Sequence, residues 1–125
     1  MTILMIEDDS ALYAVTKSLL EISGYEVIGA GTLFDGLREA EQIRPGLIIL
    51  DILLPDGNGL NKRLELKGKS GAPVLVMSAI GMRKEEISAL QAAGDDYLGK
   101  PYLTEELLKR VERMTKETER VSDPA

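Results

Sequence analysis

The sequence contains no cysteine and no histidine, and these two absences exclude several kinds of functional site. Without cysteine there is no disulfide framework and no thiolate metal site, which fits a reducing compartment. Without histidine the chain lacks the commonest general base and the commonest metal ligand, and every histidine-centred triad is excluded. Any catalytic or metal chemistry must therefore come from carboxylates, hydroxyls and amines.

Long apolar runs and an excess of positive charge are also missing. No apolar run reaches the roughly 18 residues of a membrane-spanning helix, and the chain enters a predicted strand at once, without the basic start of a signal peptide. Lys and Arg number 15 against 21 Asp and Glu, which gives a net charge of −6. An acidic chain has no broad electrostatic surface for nucleic acid. We therefore expect a cytoplasmic protein that contacts neither a membrane nor nucleic acid directly.

The sequence does contain short apolar runs that alternate with helical periodicities. At 125 residues, of which 44% are hydrophobic, it is long enough for one domain with a real core. The pattern predicts strands at 2–6, 25–30, 47–50, 73–77 and 96–98, a loop at 54–59, and helices at 10–23, 32–43, 60 to about 67, 82–93 and from 104 onward. Apolar strands that alternate with amphipathic helices indicate a parallel sheet covered on both faces. We predict an α/β fold with a doubly wound five-stranded sheet in the order 2-1-3-4-5.

The helical stripes also predict which side chains face inward and where the domain ends. In the first helix, apolar residues recur at spacings of 3, 4 and 3, which predicts a buried face made of Leu12, Val15, Leu19 and Ile22. In the last helix the apolar stripe fades after Met114. We therefore predict a domain over 1–118, with 119–125 as a linker or tail toward a further domain, should there be one, that is absent from this chain.

The residues that directly follow the strands are the candidate functional groups, because ligands of doubly wound sheets bind at the carboxyl ends of the strands. These positions carry three or more acids, one hydroxyl and one amine: Glu7, Asp8, Asp9, Asp51, Ser78 and Lys100. Each alone has an ordinary explanation, and Asp9 reads as a helix cap. Together they suit a hard divalent cation held by carboxylates beside a phosphoryl group.

Four segments resemble the signature blocks of the receiver domain of bacterial and archaeal two-component response regulators: ILMIEDD, LIILDILLPDGNG, VLVMSA and DDYLGKPY. They occur in the family's order, with 43 residues from Asp8 to Asp51, 27 on to Ser78 and 22 on to Lys100. The resemblance covers about residues 2–118 and implies a flavodoxin-like or CheY-like fold. The segment DDYLGKPY, followed by ELLKR, most resembles the branch whose output is a winged-helix DNA-binding domain.

The resemblance implies a role for each candidate residue. Asp51 is implied as the phosphoacceptor, and Lys100 and Ser78 as the residues that contact the phosphoryl group. Ser78 and Tyr97 are implied as a switch pair. Pro101 is implied to follow a cis peptide bond. The implied cofactor is Mg²⁺, with Mn²⁺ as the alternative, and its implied ligands are Asp8, Asp51, the backbone carbonyl of Leu53 and, through water, Glu7.

The resemblance also implies a switch that catalyses only its own phosphorylation and dephosphorylation, and not a turnover enzyme. A sensor histidine kinase is the implied donor. The implied response is a change in the face formed by helix 82–93, strand 96–98 and the last helix. That change controls an output domain or a downstream protein, with transcription through a C-terminal DNA-binding domain favoured and a stand-alone receiver as the alternative. A phosphorylation-dependent homodimer through the same face stays open.

The chain departs from the family pattern in three ways that bear on these expectations. The segment between Asp51 and Pro73 is a few residues short, which predicts a stunted third helix. Leu53 and Ile80 are both apolar where they are implied to flank the route of the hydrolytic water, so we expect a long-lived phosphorylated form. Tyr102 replaces the usual Phe, which we expect to be a mild change.

The charge pairs that the winged-helix branch uses across its dimer are only partly present. Asp95 and Arg110 match one of three such pairs. Glu86 and Glu112 stand where that branch usually has basic residues. Exposed charge pairs contribute about 0–1 kcal/mol each, so apolar contacts would have to stabilise a dimer of this chain.

Three other functions were weighed against the receiver. An aspartyl phosphatase generally has a second acid two residues after its nucleophile, and here that position is Leu53. A flavodoxin-like cofactor binder needs a loop after the first strand that cradles a phosphate, and the acids there repel one. A degenerate receiver used only for binding would lack some of the chemical residues, and all of them are present.

Overall fold

The computed structural model describes the backbone of residues 1–122 and the side chains of residues 1–116. Five parallel strands form one sheet in the order β2-β1-β3-β4-β5. The strands are β1 (Thr2–Ile6), β2 (Glu26–Ala30), β3 (Leu47–Asp51), β4 (Val74–Ser78) and β5 (Asp96–Gly99), and the helices are α1 (Ser10–Ile22), α2 (Leu33–Ile43), α3 (Arg63–Ser70), α4 (Lys84–Ala92) and α5 (Thr104–Ser122). The predicted fold class and strand order are confirmed.

Two apolar layers cover the sheet because successive strand residues point to opposite faces. Ile3 and Met5 of β1 face a core that includes residues of α1 and α5. Leu4 and Ile6 of the same strand face a second core that includes residues of α2, α3 and α4. β3 and β4 are buried along their whole length, so their carboxyl ends are fixed rigidly at one edge of the sheet.

The buried face of α1 differs from the predicted one. Val15 is 61% exposed and Ile22 is 84% exposed, whereas Thr16 and Leu20 are buried. The hydroxyl of Thr16 lies 2.8 Å from the Tyr102 hydroxyl, so a polar group sits in the core without losing its hydrogen bond. The face predicted from the apolar spacing is therefore wrong, because the side of α1 that faces the core includes a threonine, which the apolar pattern does not count.

The segment after β3 is more ordered than predicted. Residues Leu53–Leu54 and Gly57–Asn58 pair as a two-residue antiparallel hairpin where we expected loop, and a 3₁₀ turn follows over Gly59–Lys62. α3 then runs for eight residues and ends at Ser70, past the predicted end near 67. Gly71, with a φ of 73°, adopts the left-handed conformation that commonly ends a helix.

A buried carboxylate ties the short α3 to the rest of the fold. Asp95 accepts hydrogen bonds from the Val74 amide at 2.7 Å and from the Lys67 amine at 2.9 Å, and it pairs with Arg63. Its side chain has no exposed surface. The expected pairing of Asp95 with Arg110 on an exposed face is therefore wrong, because Asp95 is consumed inside the subunit.

The carboxyl end of the chain bears on the predicted domain boundary. α5 continues to Ser122, so the backbone of 119–122, the first part of the predicted linker, is helical. Residues 123–125 lie outside the described residues, and the division at 118 stays a prediction. Within 1–122, none of the helices is both long and apolar enough to cross a membrane.

Candidate functional site

The carboxyl ends of β1 and β3 bring three carboxylates together. Glu7, Asp8 and Asp51 each offer an oxygen, and these oxygens all lie within 4.8 Å of one another. Glu7 and Asp51 are buried, while Asp8 is exposed at the rim. β1 and β3 are neighbours in the sheet, so residues 43 apart in sequence meet at one edge.

Lys100, at the end of β5, reaches across to this acidic cluster. Its amine lies 2.8 Å from a Glu7 oxygen and 3.0 Å from an Asp51 oxygen. The backbone amide of Lys100 donates to the Ser78 carbonyl at 2.8 Å, and the Lys100–Pro101 peptide bond is cis. One cation is thus held between two buried carboxylates that would otherwise repel each other.

The pKa shifts at this site follow from burial and charge. Burial raises the pKa of Glu7, and the negative charge of Asp51 adds to that rise, while hydrogen bonds from Lys100 and the Asp9 amide partly offset it. Burial by itself would lower the pKa of Lys100, but its bonds to Glu7 and Asp51 outweigh burial and raise that pKa. The amine therefore stays charged at neutral pH, which suits it to bind a second anion.

Asp9, the third acid of the sequence Glu-Asp-Asp, has a separate structural role. Its carboxylate accepts hydrogen bonds from the amides of Ala11 and Leu12, both at 3.0 Å, and so caps the start of α1. The predicted capping role of Asp9 is confirmed.

The loop after Asp51 folds back onto the end of β3. The Leu53 amide donates to the Asp51 carboxylate at 3.2 Å, and the Gly59 amide donates to the Ile52 carbonyl at 2.6 Å. A side chain at Gly59 would place its Cβ 2.3 Å from the Asp51 carbonyl oxygen, so only glycine fits there. Sequence reasoning missed this requirement, because the Asn-Gly pair marks a turn but not what the turn packs against.

Ser78 and Tyr97 are connected through the backbone of one residue. Ser78 is buried, and its hydroxyl oxygen accepts a hydrogen bond from the Ile80 amide at 2.9 Å. The Tyr97 hydroxyl donates to the Ile80 carbonyl at 3.2 Å. The backbone of Ile80 is therefore hydrogen-bonded to both side chains, at its amide by Ser78 and at its carbonyl by Tyr97.

The chemistry of the acidic cluster fits a hard divalent cation. Its donors are carboxylate oxygens, which are the ligands that Mg²⁺, Mn²⁺ and Ca²⁺ prefer over softer metals. Exposed Asp8 faces solvent, so a cation has a path to the cluster. The residues present could therefore bind such a metal.

An open cavity of about 330 Å³ adjoins the cluster. It is lined by Asp9, Leu12, Ala79, Lys100, Pro101 and Tyr102. Lys100 takes part in both, so the cavity lies beside the residue whose amine bridges Glu7 and Asp51.

Comparisons with known proteins agree with this geometry. Residues 3–112 match the family described as the response regulator receiver domain. The chain is 42% identical over 109 residues to the KDP operon transcriptional regulatory protein KdpE of Escherichia coli, covering 87% of this chain and 48% of that protein. It is 36% identical over 126 residues to the DNA-binding dual master transcriptional regulator RpaA of Synechocystis, covering 98% and 52%.

A solved structure resembles the whole chain. The response regulator receiver domain protein (CheY-like) of Methanospirillum hungatei is 30% identical, with a TM-score of 0.86 over 97% of this chain and 98% of that one. By contrast, this chain spans about half the length of the curated relatives that it matches.

Asp8 and Asp9 should respond in opposite directions to removal when no metal is present. We expect Asp8→Ala to raise the free energy of unfolding by about 0.5–1 kcal/mol in a chelator, because it removes like-charge repulsion at the cluster. We expect Asp9→Ala, the matched control, to lower it by about 1 kcal/mol, because α1 loses its cap. Urea denaturation measures both, and a loss of stability in Asp8→Ala contradicts this account of the charges.

Proposed function

Because the chain belongs to the response regulator receiver domain family, we propose that it is a phosphorylation switch whose Asp51 accepts a phosphoryl group from a sensor histidine kinase. The observation that carries this proposal is the convergence of Asp51 with Glu7, Asp8 and Lys100 at the carboxyl edge of the sheet. One anionic nucleophile, two further carboxylates and one amine make a set suited to phosphoryl transfer.

In the proposed reaction, an Asp51 oxygen attacks phosphorus, the bond to the kinase histidine breaks, and an acyl phosphate forms on Asp51. A divalent cation such as Mg²⁺, if held by these residues, would neutralise part of the negative charge of the phosphoryl group. Its proposed ligands are Asp8, Asp51, the Leu53 carbonyl and, through water, Glu7, with Mn²⁺ as a substitute.

Lys100 and Ser78 are proposed to hold the phosphoryl group on the other side. The charged amine of Lys100 already lies 3.0 Å from Asp51, so it needs to move little to bind an oxygen of the modified side chain. The Ser78 oxygen accepts from the Ile80 amide through a lone pair, which leaves its proton available to a phosphoryl oxygen. The proposed bonds from Lys100 and Ser78 to phosphoryl oxygens form only in the phosphorylated state, so they favour that state.

The proposed switch runs from Ser78 through Ile80 to Tyr97. A phosphoryl group shifts an equilibrium only through contacts that are better in one state. The Ser78 contact is such an interaction, and Ile80 links it to the Tyr97 hydroxyl on the face formed by α4, β5 and α5. That face is the proposed contact surface for the output.

The outer side of α1 is the proposed docking surface for the kinase. The apolar stripe Leu12, Val15, Leu19 and Ile22 lies partly or largely exposed, and Leu12 also lines the cavity beside Lys100. An exposed apolar ridge next to a reactive centre is typical of a protein contact site.

The output is proposed to be transcription control by a C-terminal winged-helix DNA-binding domain outside this chain. Support comes from the curated relatives, which are named as transcriptional regulators and are about twice as long. A stand-alone receiver that acts by protein contact is the alternative. In either form the chain is proposed to be cytoplasmic, without a turnover reaction of its own and without direct contact to nucleic acid.

The phosphoacceptor role predicts a single modification site. We expect acetyl phosphate with Mg²⁺ to add one hydroxylamine-labile phosphate to the protein, and none to Asp51→Asn, which lacks the nucleophile. Asp9→Asn is the matched control and should be modified normally, because asparagine caps a helix as well as aspartate does. Intact-protein mass spectrometry measures the added mass. An unmodified wild-type protein would rule out the proposed function.

The phosphate on Asp51 is predicted to be long-lived. The Leu53 and Ile80 side chains are 53% and 57% exposed, and neither can orient a hydrolytic water by hydrogen bonding. We expect Ile80→Asn to shorten the phosphate half-life, and Leu64→Asn, at an exposed position of α3, to leave it unchanged. The decay of the phosphorylated mass over time tests this. A wild-type half-life of seconds contradicts the prediction.

A phosphorylation-dependent homodimer through α4, β5 and α5 is also proposed. Within one subunit Arg110 lies 3.7 Å from Asp96, and Arg113 also pairs with Asp96. In a twofold dimer these arginines can exchange to the partner's Asp96 without losing ion pairs. We expect beryllofluoride, a phosphoryl mimic, to produce dimers of the wild type in analytical ultracentrifugation and not of Asp51→Asn. Monomers in both states rule the dimer out.

A further inference from the structure

A carboxylate at the tip of the hairpin after β3 caps a distant helix. Asp56 lies at that tip, and its two oxygens accept hydrogen bonds from the amides of Leu33 at 2.8 Å and Phe34 at 3.0 Å. These amides open α2, which already has a local cap, since the Thr32 hydroxyl accepts from the Asp35 amide at 3.1 Å. The start of α2 is therefore capped even without Asp56. What the Asp56 contact adds is a link between α2 and the hairpin.

This link is the anchor of the hairpin tip. The hairpin has only two residue pairs, Leu53 with Asn58 and Leu54 with Gly57, and a ladder that short is marginal in water. At its base the backbone bond from Gly59 fixes it to the end of β3. At its tip the Asp56 bonds to α2 hold it, and Gly57 packs close to the buried side chain of Leu33.

The charge state of Asp56 suits this role. The hydrogen bonds from the Leu33 and Phe34 amides lower the pKa of its carboxyl group. The carboxylate is therefore ionised at neutral pH, and it faces the positive end of the α2 dipole.

We propose that Asp56 is a positioning residue for the metal site, which acts by fastening the hairpin that carries the Leu53 carbonyl. This inference rests on the proposed function, since it needs the metal that the function requires. The hairpin begins at Leu53, whose amide also contacts the Asp51 carboxylate. Freeing the tip would let this strand of two residues move and would weaken one metal ligand.

Coupling between metal binding and the anchored hairpin must act in both directions, which distinguishes this role of Asp56 from that of a simple helix cap. If the anchored hairpin favours metal binding, then metal binding must favour the anchored hairpin by the same factor. Mg²⁺ should therefore slow hydrogen exchange at the Leu33 and Phe34 amides, although these residues belong to α2 and not to the cluster.

Two caps on the same helix provide a matched pair of variants. We expect Asp56→Ala to weaken Mg²⁺ binding by about threefold to tenfold in isothermal titration calorimetry, below the 10–100-fold of residues that contact metal ligands directly. Asp56→Asn, which keeps one acceptor oxygen, should lose less. Thr32→Ala removes the local cap and should leave Mg²⁺ affinity unchanged. In hydrogen exchange, Mg²⁺ should protect a peptide of residues 31–37 in the wild type but not in Asp56→Ala.

The outcomes separate this proposal from the function beneath it. No Mg²⁺ binding by the wild type sinks the proposed function. Wild-type binding with equal affinity in Asp56→Ala overturns the positioning role alone. Equal losses in Asp56→Ala and Thr32→Ala also overturn it, because both then act through helix stability. Should Asp56→Ala fail to unfold cooperatively in urea, Asp56→Asn carries the comparison, and unchanged affinity in that variant likewise overturns the role.

Discussion

The bridge from Lys100 to Glu7 and Asp51 is the interaction on which the site depends. Two buried carboxylates at the ends of neighbouring strands repel each other, and burial makes their charges costlier still. Lys100 offsets both effects with one amine at 2.8 and 3.0 Å. The same contacts hold the amine charged and in place, so the group that stabilises the two carboxylates is also the one proposed to bind the phosphoryl group.

The proposed switch connects that local chemistry to the loop that follows β4. The backbone of Ile80 is held at its amide by Ser78 and at its carbonyl by Tyr97. The amide and the carbonyl belong to one residue, so Ser78 and Tyr97 both contact the loop at Ile80. In the proposed switch this loop is the part that responds, because β3 and β4 behind it are buried along their whole length.

Much of this arrangement could be predicted from sequence, because parallel strands place their carboxyl ends at one edge. The order of strands and the meeting of Glu7, Asp8 and Asp51 follow from local patterns and that rule. Contacts that depend on a partner side chain from a distant part of the sequence could not be predicted. The spacing of Val15 and Ile22 is helical, but only the Tyr102 hydroxyl explains why Thr16 takes the interior instead.

Adjacent acidic residues show why such contacts cannot be predicted from local sequence, because neighbouring side chains point in different directions and contact different partners. In Glu-Asp-Asp at 7–9, one acid is buried against Lys100, one is exposed, and one caps α1. Asp95 is likewise consumed by Arg63 and Lys67 of α3, while Asp96 meets arginines of α5. The shortness of α3 therefore need not loosen the fold, because a buried charge cluster fastens it to the turn before β5.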